Sequence, residues 1–350
     1  LLAIENELKV PGSNEYGRVD RVAGWFLLAR MYLNAQTWIN ENKYQEAYIY
    51  ATKVIADGHY PLASDYREIF LADNNTCKEI IWPLVQDGLR AQSSAGTNFY
   101  VKAFVNGPMD ELYKTGVGSR GWGNVRAKVS LVDAFDADDV MFDGNDTWGN
   151  NKKDKRAQFM TALPNQVKDT WDVNMDMTST FTCGYGYIKW RNVTKEDELS
   201  ASGDAYTSID FPLFRTADAY LMAAEAILRG ASGTKSEALG YVNEVRTRAY
   251  MSGKYAKNGV RSDVSGEIGA NELDLDFLLL ERQKELASEL IRRTDLIRFG
   301  KYTKGNNWDW KNGVRLGEDV DDKYNLFPIP ESELTNNPTL VQNDGYKVIK

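Results

Sequence analysis

Asn325-Leu326-Phe327-Pro328-Ile329-Pro330-Glu331-Ser332-Glu333-Leu334 stands near the end of the 350-residue chain, followed by Asn336-Asn337-Pro338-Thr339-Leu340-Val341-Gln342-Asn343-Asp344-Gly345-Tyr346. Proline locks φ and restricts the residue before it. The Pro-Ile-Pro and Asn-Pro steps therefore predict an extended tail that is not helical. Ahead of it lies Leu280-Glu281-Arg282-Gln283-Lys284-Glu285-Leu286-Ala287-Ser288-Glu289, leading into Arg292-Arg293-Thr294-Asp295-Leu296-Ile297-Arg298-Phe299-Gly300-Lys301. This reads as one long charged helix near Glu272 to Phe299. Glu289 would meet Arg293 at i+4, and Arg282 would meet Glu285 at i+3, along its surface.

Two helix pairs lie upstream. Val19, Val22, Phe26, Ala29 and Leu33 share one helical face, as do Tyr44, Ala47, Ala51, Val54 and Ile55 after a polar loop. Leu213, Ala217, Tyr220, Leu221, Ala224 and Leu228 line a third helix. Gly230 and Gly233 break it, and Ala238, Val242, Val245 and Ala249 line a fourth. Ala47, Tyr50 and Val54 repeat the spacing of Ala238, Tyr241 and Val245. Small residues at such positions let antiparallel helices approach closely, so the pairs read as a tetratricopeptide-type hairpin used twice, at about 19–57 and 213–250. Such stacks usually need about three units, so either other parts of the fold cover the remaining surface or the chain is truncated.

Between the pairs, about 74–210, the pattern changes. Glu79-Ile80-Ile81-Trp82-Pro83-Leu84-Val85 predicts a strand, and Gly184-Tyr185-Gly186-Tyr187-Ile188-Lys189-Trp190 a second. The rest is rich in Gly, Asn, Asp and aromatics. A long irregular insertion with this much Trp and Tyr reads as functional rather than disordered.

Composition sets outer bounds. Lys and Arg number 42 against 50 Asp and Glu, a net charge of −8. That balance argues against nucleic acid as the partner, because phosphate binding needs a basic face. It gives no polybasic reason to sit on an anionic membrane either. No apolar run approaches the roughly 18 residues of a membrane span. The longest, Val22 to Ala29, is closed by Arg21 and Arg30. No signal peptide is visible, and the opening Leu1-Leu2-Ala3-Ile4 without Met reads as a fragment or a mature form.

Cys77 and Cys183 are the only cysteines. Two cannot build a four-cysteine zinc site, and two buried free thiols is the preferred reading. The single histidine, His59 in Asp57-Gly58-His59-Tyr60-Pro61-Leu62, fits a turn after a helix-ending glycine. It has no support for a nucleophilic mechanism, and no histidine-built metal site is available. Gly116-Val117-Gly118-Ser119-Arg120-Gly121 matches G-x-G-x-x-G. No strand precedes it and Trp122-Gly123-Asn124 opens no helix, so it reads as a tight or flexible loop. Asp136, Asp138, Asp139, Asp143, Asn145 and Asp146 are set against an EF-hand by Met141 and Asn150 at ligand positions. A looser structural calcium near Asp136–Asp146 is the alternative to a solvated acidic turn, and the turn is preferred. No metal, no cofactor and no catalytic residue is assigned.

The aromatics of the insertion carry the positive signal. Trp122, Trp148 and Trp171 sit in polar, glycine-rich surroundings, as do Tyr100, Trp308 and Trp310. Sugar rings or peptide side chains pack on such faces, while Asn124 and Arg126, beside Trp122, suit hydroxyls or amides. Loop packing is the plainer reading for any one of them, and a ligand-facing ring is expected within the set. Trp25, Trp38, Trp82 and Trp190 lie in regular patterns and read as core.

Four blocks, in order, resemble the SusD/RagB family of nutrient-binding outer-membrane lipoproteins. They are Ala23 to Phe70, continued by Glu79-Ile80-Ile81-Trp82; Phe214-Arg215-Thr216-Ala217-Asp218-Ala219-Tyr220-Leu221-Met222-Ala223-Ala224-Glu225-Ala226; Val242-Asn243-Glu244-Val245-Arg246-Thr247-Arg248-Ala249; and the C-terminal signature. The resemblance implies a mostly α, SusD-like fold over 1–350. It would be built on tetratricopeptide-type hairpins, with a loop-rich ligand-binding insertion (74–210), few short strands, and a C-terminal helix and tail (272–350) packed across the hairpins. Glu281, Arg282, Glu285, Glu289, Arg293 and Asp295 would form a polar scaffold. It further implies non-catalytic binding of an oligosaccharide, or of a peptide in some members. Delivery would be to a SusC-like TonB-dependent transporter on the extracellular face of the outer membrane. A lipidated cysteine and a further helical portion are implied ahead of Leu1. Trp122, Asn124, Arg126, Tyr100, Trp148, Trp171 and Trp308 are the candidate ligand-binding residues. A carboxylate-dependent glycosidase and a protein-binding scaffold are the competing functions; oligosaccharide turnover would favour the first, and absence of small-ligand binding the second.

Overall fold

A computed structural model describes residues 1–105, 114–140, 152–160, 185–251, 265–305, 311–314 and 317–347. Trp148, Trp171, Trp308, Trp310 and Cys183 lie outside these residues, as do Met141, Asp143, Asn145, Asp146 and Asn150 of the acidic stretch. The fold is mostly helical with a few short strands, and the chain falls into two compact units, Leu1–Glu289 and Leu290–Lys350.

In the first unit α1 (Arg21–Ile39) starts where the Asp20 carboxylate accepts the Ala23 N–H at 3.1 Å, and ends at Asn40 in the left-handed region. Its antiparallel partner α2 (Tyr44–Asp57) ends at Gly58, φ 72°. The second pair is α6 (Thr216–Leu228) and α7 (Lys235–Met251). There Thr234 and Glu237 exchange reciprocal bonds, the Thr234 N–H donating to Oε2 at 2.7 Å and the Glu237 N–H to Oγ1 at 3.2 Å. Ala47 and Ala51 of α2 share a buried cluster with Ala219, Ala223 and Ala226 of α6. Two methyl-studded faces allow the backbones to approach closely, which stacks the two hairpins into one array.

The pairs are joined by a two-stranded antiparallel ladder of β1 (Ile80–Leu84) and β4 (Phe211–Arg215), with Ile80 opposite Arg215 and Leu84 opposite Phe211. Leu213 thus belongs to a strand and not to the helix predicted for it. The β-rich Phe-Pro-Leu-Phe run, with a proline that forbids helix continuation, finds a partner strand that local pattern does not reveal. Because β1 and β4 pair, the insertion leaves and re-enters the helical base at one place. Its first helix is α3 (Thr97–Ala103), and α4 (Val129–Val132) and α5 (Ala137–Val140) follow. It also holds the ladder of β2 (Phe159–Met160) with β3 (Gly186–Tyr187).

The predicted helix over 272–299 is broken. α8 (Leu275–Leu286) is capped by Asp274, and Ser288 and Leu290 then take φ 61° and 62° before α9 (Arg292–Arg298). The surface pairs expected along it are replaced by long-range buried ones. Glu289 receives Arg215 Nε at 2.6 Å and Lys189 Nζ at 2.5 Å, while Glu285 receives Arg215 Nη1 at 2.7 Å and Arg248 Nη2. Arg156 reaches Glu281 at 2.5 Å and Asp154 at 2.8 Å; Arg215 and Arg248 share Glu79 at 2.9 and 2.7 Å. Arg282 and Arg30 enclose Asp218 at 2.9 and 2.8 Å. All but Arg30 are buried, so each charge is tolerated only because several hydrogen-bonded partners surround it. This network ties the insertion, through Asp154, Arg156 and Lys189, to β4, α7 and α8.

Burial opposes ionisation of Glu285, but Arg248, Arg215 and Arg156 outweigh it and hold the carboxyl well below the usual range. Asp218, likewise buried against Arg282 and Arg30, is held to about 2. Lys189 goes the other way: burial pushes its ammonium down to about 8 despite Glu289. For depressed carboxylates the stability is present above the unfolded value and lost as pH falls through the folded one. Asp218 alone should therefore forfeit roughly 2 kcal/mol between about pH 4 and pH 2. Asp73, Asp139 and Asp210, whose carboxyls burial raises, oppose part of that loss. Urea midpoints should fall steadily from pH 5 to pH 3; a flat profile would contradict the network's assigned role.

Three further expectations change. Trp38 is 58% exposed on the outer face of α1, lining a surface groove with Leu1, Leu2, Met31 and Tyr32, because α2 and α6 occupy the other side. Val19 is exposed ahead of α1. Of the acidic stretch, Asp136 and Asp138 are exposed, but Asp139 is buried and accepts the N–H groups of Lys153 and Asp154 at 2.7 and 3.0 Å, a structural role. Trp190 is buried, and Trp25 and Trp82 are half-buried. Cys77 is a buried free thiol pushed up to about 12 by desolvation, and His59 is exposed after Gly58. No group of three or more metal-ligating side chains occurs among the described residues, and no described helix is long and apolar enough to cross a membrane.

In the second unit the tail is not wholly extended. Glu331–Asn336 forms α10, with Pro330 at its start and Asn337-Pro338 at its end. Proline at a helix start sacrifices no internal bond, so the two proline steps bound a short helix and do not forbid one. The tail also closes on itself. Gln342 accepts the Ile329 N–H at 2.8 Å and donates to the Ile329 carbonyl at 2.9 Å. Asn343 donates to Phe327 O at 2.8 Å, and the Tyr346 hydroxyl to Leu326 O at 2.8 Å. Arg293 lies over the Phe327 ring at 4.2 Å and donates to the Tyr324 and Asn325 carbonyls at 3.0 Å each.

Candidate functional site

Among the described residues of the insertion, the most exposed aromatic group is built on α3. Gly96, φ 65°, opens that helix, and Thr97 Oγ1 anchors it by donating to Ile209 O at 2.8 Å. At the other end the carbonyls of a helix lack internal partners. Here they are taken by an extended segment: the Trp122 N–H donates to Lys102 O at 2.8 Å, and the Asn124 and Val125 N–H groups donate to Ala103 O at 2.8 and 2.9 Å. Gly123 N–H adds a bond to Val105 O at 2.8 Å. These bonds hold Trp122 beside Phe99, ring centroids 6.1 Å apart at 59°. Phe99 is 42% and Trp122 36% exposed, so two tilted rings face solvent on a clamped backbone.

A polar wall is built on the segments that carry the rings and on the 200–208 loop. Arg120 Nε donates to Asp204 Oδ1 at 3.0 Å. Lys102 reaches the same loop, its Nζ donating to Ala205 O and lying 5.7 Å from the Tyr206 ring centroid. Burial, with Arg120 nearby, lowers the Lys102 ammonium. Farther along, Lys114 pairs with Asp197 at 2.7 Å. The arrangement offers ring faces for apolar contact and a paired cation and carboxylate for hydroxyls or amides. No buried carboxylate of the ion network opens onto it: Glu79, Glu281, Glu285 and Glu289 are almost wholly enclosed.

The candidate residues separate in space. Trp122 and exposed Asn124 lie on the clamped segment, with half-buried Arg126 following. Tyr100 packs inward, stacked on Trp190 at 5.4 Å and against Phe211 at 5.8 Å, and burial raises its hydroxyl. It thus links Phe99, whose ring lies 6.0 Å away, to the Trp190–Phe211 cluster. Phe99, Arg120, Asp204 and Tyr206 escaped the sequence reading. Phe99 adjoins Tyr100 in the chain and carries no polar context of its own, and Asp204 and Tyr206 approach Arg120 only through folding.

A profile of the SusD family matches residues 78–346, most of the chain. The chain belongs to the SusD family. It is 33% identical to the starch-binding protein SusD of Bacteroides thetaiotaomicron over 98% of its own length and 63% of the relative's. It thus spans less than two thirds of that curated relative. Its fold resembles the surface glycan-binding protein A of Bacteroides thetaiotaomicron in complex with laminarihexaose (TM-score 0.65, 21% identity, 97% of this chain and 67% of that one). It also resembles a SusD superfamily protein of Bacteroides vulgatus (TM-score 0.66, 19% identity, 99% and 63%). These likenesses agree with the mostly helical, hairpin-based fold expected of a SusD-family member.

Proposed function

We propose that this SusD-family chain binds an oligosaccharide on the outer cell surface and releases it unchanged to a SusC-like TonB-dependent transporter. In this reading the protein is a lipid-anchored lipoprotein of the outer membrane and not an enzyme. The observation that carries the binding reading is the Phe99–Trp122 pair, two exposed rings on a backbone fixed by four N–H bonds. Sugar rings present apolar C–H faces to such platforms and hydroxyls to flanking polar groups. A neutral sugar suits this surface: Arg120 and Lys114 are each matched by a carboxylate, Asp204 and Asp197, and the Lys102 ammonium is turned to the Ala205 carbonyl. Starch and laminarihexaose, the ligands in the names of the two Bacteroides thetaiotaomicron relatives, are both neutral glucans.

Calorimetric titration with soluble starch, laminarihexaose, a charged uronate oligomer and a peptide mixture, with chromatography of the recovered ligand, tests this. The expected result is saturable binding of a neutral glycan recovered intact. Binding of peptides alone, or cleavage of the glycan, would overturn it. Co-purification with an outer-membrane barrel from cells carrying the full-length protein tests the delivery step.

A further inference from the structure

Asn192 joins two segments that lead into the site. The side chain is fully buried. Its Nδ2 donates to the carbonyls of Gly203 at 2.8 Å, Gly116 at 3.1 Å and, at a longer 3.4 Å, Tyr206. Its Oδ1 accepts the Ser208 N–H at 3.3 Å. The backbone adds a bond from Asn192 N–H to Thr115 O at 2.7 Å and one from the Ser200 N–H to Asn192 O at 3.2 Å. One residue thereby joins the 115–116 turn, which leads to Arg120 and Trp122, to the 200–208 loop, which carries Asp204 and Tyr206.

The G-x-G-x-x-G match is the other half of this joint. Gly116 takes φ 77°, and a Cβ there would meet the Asn192 carbonyl oxygen at 2.5 Å. Gly118 takes φ 52°, and its Cβ would lie 2.8 Å from Asp204 Oδ2. The first glycine admits Asn192 and the second admits Asp204. Gly116 is needed for close backbone approach and for its left-handed φ, Gly118 for its left-handed φ, which accounts for the first two glycines of the motif without any phosphate.

We infer that Asn192 is a positioning residue for ligand recognition, presetting the Arg120–Asp204–Tyr206 wall against the Phe99–Trp122 rings through its amide donors and the Gly116/Gly118 loop. This rests on the platform reading above. A binding site whose polar wall is ordered in advance spares the ligand the entropy of ordering it. Losing Asn192's donors frees the loop and leaves buried carbonyls unsatisfied.

The test compares Asn192→Ala, Gly118→Ala and Trp122→Ala in the otherwise unaltered chain. Affinity is read by calorimetry with soluble starch and laminarihexaose, and local order by amide hydrogen exchange. In Asn192→Ala, exchange at 200–208 should rise at least about tenfold while the α1, α2 and α6 amides stay protected. Affinity for the better probe should fall about tenfold, the worth of one to two hydrogen bonds. Gly118→Ala, which crowds Asp204 without touching the core, should weaken binding similarly and serves if Asn192→Ala does not fold. If Trp122→Ala weakens binding while the folded Asn192→Ala and Gly118→Ala chains bind as the parent does, this inference fails and the platform stands. If Trp122→Ala binds as the parent does, the platform fails and the inference falls with it.

Discussion

Arg215→Met should destabilise the first unit by about 3–5 kcal/mol, the usual cost of removing one partner from a buried ion pair. Arg215 stands among three carboxylates of the network. Its guanidinium serves Glu79 at 2.9 Å, Glu285 at 2.7 Å and Glu289 at 2.6 Å, and donates to the Glu285 carbonyl at 2.8 Å. Methionine fills much of the volume but leaves three buried carboxylates short of a partner. Arg248 still reaches Glu79 and Glu285, and Lys189 still reaches Glu289, so the structure has some residual compensation. Urea denaturation followed by far-ultraviolet circular dichroism measures the loss. Adding Glu285→Gln should recover part of it, since that removes one uncompensated charge. A midpoint shift worth less than about 1 kcal/mol would show that the network contributes little net stability, as well-packed buried pairs sometimes do.

Trp122→Ala should reduce glycan affinity by about 30-fold or less while leaving the fold intact. About a third of the ring system is open to ligand. For a tryptophan of on the order of 250 Å², that is roughly 90 Å², worth up to about 2 kcal/mol at about 25 cal/mol per Å². Phe99→Ala should act in the same direction, and the two losses should not add, since the rings are in contact. The backbone clamp is made by N–H groups that alanine retains, so thermal melting should move little. Full affinity in both single variants and in the double variant would place the binding surface elsewhere.

The helical base was legible because its information is local. The periodic apolar faces of α1, α2, α6 and α7, and the alanines that let α2 and α6 meet, announce themselves within windows of a dozen residues. The tail motifs were legible as a signature, yet their chemistry was not. Gln342 and Asn343 turn out to bind the backbone of Phe327 to Ile329, and α10 forms between the prolines expected to exclude it. The candidate site was legible only at Trp122 and its neighbours, where an aromatic ring in polar, glycine-rich surroundings stood out. Phe99 gave no such sign. The wall of Arg120, Asp204 and Tyr206 depends on residues more than eighty positions apart.

The amino-acid sequence alone determined that α1, α2, α6 and α7 are helical, that two hairpins repeat, that a long aromatic-rich insertion separates them, and which family the ordered blocks resemble. Tertiary structure decided the rest. It placed Leu213 in a strand, because Ile80–Leu84 offered a ladder. It turned Trp38 outward, because one face of α1 was already covered. It drew Glu285 and Glu289 into the interior, because arginines from β4, α7 and the insertion arrived there together. Side-chain periodicity reports only the environment an element prefers. Which partner supplies that environment depends on contacts between distant segments, and these become definite only when the chain has closed on itself.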